Sequence, residues 1–103
     1  MYVNIFRSRK RPGYDAERYA ADAARMVALA QAQPGFLDYK SFAAPDGETV
    51  SISTWETTDA AAAWAAHPEH RAVQKRGREE YYESYRVASC VDVTERHFDG
   101  TDK

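Results

Sequence analysis

Four prolines, three of them followed at once or one residue later by glycine, cut this 103-residue chain into segments, each with its own hydrophobic pattern. Proline fixes φ and carries no N–H, while glycine takes backbone angles that other residues avoid, so Pro12-Gly13, Pro34-Gly35 and Pro45-Asp46-Gly47 end whatever precedes them. Before the first cut, residues 2–8 alternate with period two. That predicts a strand with Val3 and Ile5 on one face and Tyr2, Asn4 and Phe6 on the other. Between the first and second cuts, the Ala-rich stretch 15–33 predicts a helix with Tyr19, Ala23, Met26 and Ala30 on one stripe, and Asp22 and Arg25 off its centre. Residues 36–43 and 48–55 are β-rich runs joined by Ala44-Pro45-Asp46-Gly47, a hairpin whose Gly47 accepts a positive φ. Thr57 or Thr58 caps a further helix that Pro68 interrupts, with a second helical segment starting near Pro68. Residues 87–98 predict a long last strand, and 99–103 a frayed tail.

The order β-α-β-β-α-β predicts an α+β fold of the ferredoxin-like, split βαβ kind, an antiparallel sheet with both helices on one face. Residues 1–98 then form one domain, because a chain of this length with 44% hydrophobic residues has a core for one unit and no more. The predicted strands offer large side chains in both directions, with Leu37 and Tyr39 grouped against Phe36 and Phe42. A sheet apolar on both faces needs cover on both, and a second copy packing sheet to sheet supplies it. A homodimer is expected.

Charge removes several classes. Fourteen Lys and Arg against sixteen Asp and Glu leave a net charge of -2, whereas nucleic-acid binding leaves a basic footprint. The basic run Arg7-Ser8-Arg9-Lys10-Arg11 is expected to be a solvated strand end. With no apolar stretch near the ~18 residues of a span and no apolar signal segment at the N-terminus, the expectation is no membrane partner and a cytoplasmic protein. Cys90 is the only cysteine, so thiolate zinc sites and iron–sulfur clusters lack ligands; its place in a strand-like run fits a small buried hydrophobe.

The stretch with most chemistry runs from Trp64 to Tyr85. At 100° per residue, His70, Val73, Gln74, Gly77, Tyr81 and Tyr85 fall on one side of a helix. An inward face with that many polar tips lines a cavity, or else each tip is satisfied separately in a filled core. His67, beside Pro68, suits a capping role, and the proline within His67-Pro-Glu-His70 argues against a metal pair. Trp55 and Trp64, set among alanines, are core residues or the walls of a slot for a planar ligand. No Gly-rich phosphate cradle, nucleophile elbow or paired carboxylates are present.

Phe6-Arg7-Ser8, Met26, Gln33-Pro34-Gly35-Phe36-Leu37, Asp46-Gly47, Ser53-Thr54-Trp55-Glu56, Ala63-Trp64, His67, Glu69-His70, Gln74, Gly77 and Tyr85, in that order and spacing, resemble the antibiotic biosynthesis monooxygenase domain. The resemblance implies a dimeric α+β barrel with a pocket between sheet and helices in each protomer. Members of the family that the chain resembles include oxygenases that oxidise aromatic polyketides without metal or flavin and haem-degrading monooxygenases, while many others have no known substrate. The haem-degrading branch is similar in Trp64 but carries its haem-ligating His ten residues further on, where this chain has Gln74, and its first-strand Asn matches Asn4 only if the register does not place Phe6 there. The expected function is therefore a cofactor-independent monooxygenase acting on an electron-rich aromatic or quinol-type molecule with O2. In that reading His70 is the catalytic base, Gln74 and Tyr81 orient polar substituents, and Asn4, Phe6 and Trp64 line the slot. A non-catalytic small-molecule-binding dimer needs the same pocket without the base.

Overall fold

In a computed structural model that describes residues 1–101, the first alternating segment forms strand β1, Tyr2–Lys10. Helix α1, Ala16–Gln31, starts where the Asp15 carboxylate accepts the Arg18 N–H at 3.0 Å, satisfying one of the donors that a helix start leaves free. It stops at the Pro34-Gly35 break, where Gly35 adopts φ +81°. A Cβ there would stand 2.6 Å from the Ala60 Cβ, so only glycine lets this turn pack against the next helix. Strands β2, Phe36–Ala43, and β3, Thr49–Trp55, form the hairpin. Helix α2, Thr58–Ala65, is capped by the Thr57 hydroxyl. Helix α3, Pro68–Arg76, begins with proline at its first turn and with His67 Nδ1 accepting the Glu69 N–H at 3.1 Å, so His67 is a cap. A π-helical turn, Gly77–Tyr81, passes the chain into β4, Tyr82–Cys90.

The sheet order is β2-β3-β1-β4 with every pair antiparallel, the ferredoxin-like arrangement. Register sorts its faces. Asn4 lies opposite Ser53 and Ser89, and Phe6 opposite Ser51 and Val87, so these share one side. Ile5 lies opposite Ile52 and Ala88, with Val50 and Phe42 paired beyond, so these share the other side. Phe42 is 49% exposed there. Trp55 and Tyr81, each 1% exposed, are the largest fully buried side chains and anchor the core on the first side.

Three expectations change. The helical stripe does not continue to Tyr85: α3 ends at Arg76 and Tyr82 to Tyr85 already pair with β1, because the ladder from Lys10↔Tyr82 to Val3↔Cys90 outweighs a local helical period. The last strand therefore spans Tyr82–Cys90 and not 87–98. It stops where β1 stops, and past Cys90 no neighbouring strand offers backbone partners. In β2 a bulge between Phe36 and Asp38 shifts the phase, so Phe36 and Tyr39 face the same side, opposite Trp55 and Ser53, and Phe42 faces the other.

Beyond Cys90 the chain leaves the body of the domain. Asp92 takes φ 55°, Phe98 is 94% exposed, and the radius of gyration of 15.0 Å exceeds the ~13 Å of a compact chain of this length. Of the expected frayed tail, residues 99–101 are exposed and 102–103 lie outside the described residues. No helix among the described residues is long and apolar enough to cross a membrane.

Candidate functional site

Between the helices and the sheet lies a cavity of about 320 Å³. Asn4 and Phe6 of β1 and Ser51 and Ser53 of β3 form its floor, Trp64, His70 and Gln74 form one end, and Tyr19, Asp22, Tyr81 and Tyr82 the other. All six residues singled out from the sequence thus line one cavity.

His70 is held from two directions. Its ring stacks on Trp64 with centroids 4.2 Å apart and planes 11° from parallel, and its Nδ1 lies 3.1 Å from the Trp64 carbonyl oxygen. A carbonyl oxygen can only accept, so Nδ1–H donates, and in the neutral ring Nε2 then carries the lone pair. Burial lowers the His70 pKa below the ordinary imidazole value; the Trp64 carbonyl opposes that shift and His67 adds to it. Near pH 7 the side chain is a neutral imidazole of fixed tautomer, and no described residue hydrogen-bonds its Nε2. Trp64 itself stacks on Trp55 at 6.2 Å and 26°, so the wall behind His70 reaches into the core.

The opposite end is closed on itself. Asp22 Oδ2 accepts from the Tyr81 hydroxyl at 2.6 Å and from Arg76 Nη1 at 2.7 Å. Burial pushes the Tyr81 phenol up to about 12, with the Asp22 charge adding to it. For Asp22, burial acts upward, but the hydrogen bonds from Tyr81 and Arg76 and the Arg76 charge outweigh it and hold the carboxyl below its ordinary value. The Tyr81 hydroxyl proton is thereby committed to Asp22, which leaves its ring and an oxygen lone pair to the cavity. Burial also raises the pKa of Tyr82 and of Tyr19, so both phenols stay protonated.

The floor offers donors. Ser53 Oγ accepts the Trp55 indole N–H at 3.2 Å and keeps its own O–H as a donor, and Asn4 Oδ1 accepts from Ser89 at 3.3 Å, which leaves the amide N–H2 free. Phe6 lies 5.4 Å from the Tyr82 ring and 5.2 Å from the Tyr85 ring, closing the floor beside β4. Sequence reasoning missed Asp22, Tyr82 and Ser53. Asp22 sits at the i+3 and i+4 spacings from Tyr19 and to Met26, a signal the narrower stripe passed over. Among the described residues no three His, Cys, Asp or Glu side chains are grouped to hold a metal ion.

Comparison with known proteins agrees with this fold. The family model described as antibiotic biosynthesis monooxygenase matches residues 1–76, which end at the last residue of α3, and the chain belongs to that family. A curated relative, the uncharacterized protein YqjZ of Bacillus subtilis, is 45% identical over 69 residues, covering 67% of this chain and 60% of the relative; the matched stretch thus spans less than two thirds of that protein's length. Among solved structures, Rv0793 from Mycobacterium tuberculosis superposes with a TM-score of 0.80 at 18% identity, covering 93% of this chain and 98% of its own. SnoaB from Streptomyces nogalater, described as a cofactor-independent oxygenase, superposes with a TM-score of 0.73 at 19% identity, covering 94% of each. At such identities the two structures speak for the shared fold.

Proposed function

We propose that the protein is a cofactor-independent monooxygenase that oxidises an electron-rich aromatic or quinol-type molecule, with His70 as the base. The observation that carries this reading is the neutral, tautomer-fixed His70 ring against Trp64, with Nε2 unbonded at a cavity wall. Side chains of this kind do not reduce O2, so the substrate supplies the electrons and the protein removes its proton and holds it away from water. In an anthrone-like substrate, His70 Nε2 takes a proton from the ring methylene, and the Asn4 amide and Ser53 hydroxyl donate to the oxygen on which negative charge collects. The methylene becomes a carbonyl with one atom of O2, and the other atom leaves as water with the two hydrogens. Phe6 and the edge of Trp64 line the slot for the rings and Gln74 meets polar substituents, while Tyr81, whose hydroxyl is given to Asp22, shapes the far end.

The protein acts as a homodimer in this reading, because Ile5, Ile52, Val50 and the half-exposed Phe42 form an uncovered apolar patch on the second sheet face. The resemblance of the fold to SnoaB supports the chemistry, and its basic test is direct. Purified protein given an anthrone or quinol under labelled O2, with chelator and without flavin, is expected to put one labelled atom into product. Absence of turnover across such substrates, or turnover abolished by the chelator, overturns the proposal; light scattering that gives an 11.7 kDa particle at micromolar concentration overturns the dimer.

A further inference from the structure

The basic run at the end of β1 resolves into separate tasks, and one residue is left over. Arg7 donates twice to Glu48, at 3.1 and 2.8 Å. Arg9 pairs with Asp46 at 2.8 Å, and Arg11 donates to the carbonyl oxygens of Arg78 and Tyr82 at 2.8 and 3.1 Å. Lys10 between them has no hydrogen bond and no carboxylate within 4.0 Å among the described residues. Its Nζ sits 4.4 Å from the centroid of the Tyr19 ring and 5.4 Å from that of Tyr82. Aromatic faces attract a cation but accept none of its three N–H bonds in the manner of an oxygen, so a half-buried ammonium is left short of its counter-charge.

Lys10 lines a second, more open cleft of about 460 Å³, which adjoins the main cavity and shares Tyr19, Ala23, Val27 and Tyr39 with it. The rings of Tyr14, Tyr19 and Tyr39 wall this cleft, Ala23 and Val27 of α1 give it an apolar side, and Thr49 stands at its rim. We propose that this cleft is a second ligand site that takes a small aromatic carboxylate, its charged group on the Lys10 ammonium and its ring among Tyr14, Tyr19 and Tyr39. A single cation matches a single negative charge, and three aryl walls match a flat ring better than an inorganic anion, for which the cleft holds no second base. Burial lowers the Lys10 pKa at present, a direction that a bound carboxylate would reverse. The site does not involve His70, so it stands or falls independently of the oxidation chemistry.

Benzoate and its uncharged counterpart benzamide are the probes, titrated calorimetrically and by NMR into the wild type, Lys10→Gln, Lys10→Arg and His70→Ala. Benzoate is expected to bind the wild type, to weaken at least about tenfold with Lys10→Gln, and to stay within about threefold with Lys10→Arg and His70→Ala. Benzamide is expected to bind the wild type at least about tenfold more weakly than benzoate, a comparison that needs no variant to fold. Shifted resonances should be those of Lys10, Tyr14 and Tyr39. Equal binding of the two probes, no benzoate binding by the wild type at about 10 mM, or benzoate affinity unchanged by Lys10→Gln overturns the site. So does binding that perturbs Trp64 and is lost with His70→Ala, which places benzoate in the main cavity.

Discussion

The two ends of the main cavity treat their polar groups in opposite ways. At the α3 end, His70 spends one nitrogen on a backbone carbonyl and keeps the other unbonded. At the other end, Tyr81, Asp22 and Arg76 use their polar atoms on one another, and Tyr81 is 1% exposed. An unbonded lone pair at a cavity wall can meet a substrate, whereas a closed buried network mainly specifies packing. Under the proposed function the difference puts reactivity at the Trp64–His70 end and shape at the Tyr81 end, and each assignment can be broken separately.

The largest effect is expected from His70→Ala, which should lower turnover by roughly 10²- to 10⁴-fold while the protein stays folded. A variant with normal turnover per folded molecule and a lowered melting point would move His70 to the structural side of the comparison. The pH profile sharpens the same point. Because the His70 pKa is lowered, its base form is complete above the ordinary imidazole value of about 6.5, and the rate should fall only as pH drops through the lower folded value. A limb centred above pH 6.5 would contradict this.

At the other end, Asp22→Ala should remove about 1–3 kcal/mol of stability, read by denaturant unfolding, because it strands the buried Tyr81 hydroxyl. Turnover per folded molecule should remain within a few fold. The Asp22 pKa is depressed on folding, so the folded state binds fewer protons: its contribution is complete above the unfolded value near 3.9 and is lost as pH falls through the folded one. That part of the acid sensitivity should vanish in the variant. Gly77→Ala comes next, at about 1–2 kcal/mol, since its Cβ would stand 2.6 Å from the Tyr82 ring and force that wall to shift, against some gain in helix propensity. The smallest change is Tyr81→Phe, about 1 kcal/mol, because Asp22 keeps Arg76 and partial contact with water. A large loss of turnover in Tyr81→Phe would erase the contrast between the two ends.

Much of this arrangement was legible in the chain itself. Pro-Gly breaks and a change of period from 2 to 3.6 mark β1, α1 and the hairpin, because each break has a backbone reason independent of the rest of the fold. The alternation along β1 likewise puts Asn4 and Phe6 on the cavity side. The passage from α3 to β4 was not legible, since residues 77–85 keep a helical spacing while from Tyr82 onward their backbone groups find better partners on β1. Nor was the bulge after Phe36, an insertion that only the facing strand defines. Asp22 was hidden for a related reason: a carboxylate beside an apolar stripe looks solvated until Arg76 and Tyr81, more than fifty positions away, arrive to bond it.

The π-helical turn at Gly77–Tyr81 also bears on what length changes the chain can absorb. It is the device by which two consecutive tyrosines both reach the cavity, Tyr81 as the last residue of the turn and Tyr82 as the first of a strand, where neither a continuous helix nor a continuous strand would point neighbours the same way. Deleting one residue between Arg78 and Glu80 would let the turn relax to an α-helical one and swing Tyr81 by about 100° away from Asp22. Gaps between relatives should therefore fall in the hairpin turn or after Cys90, and not across these five positions.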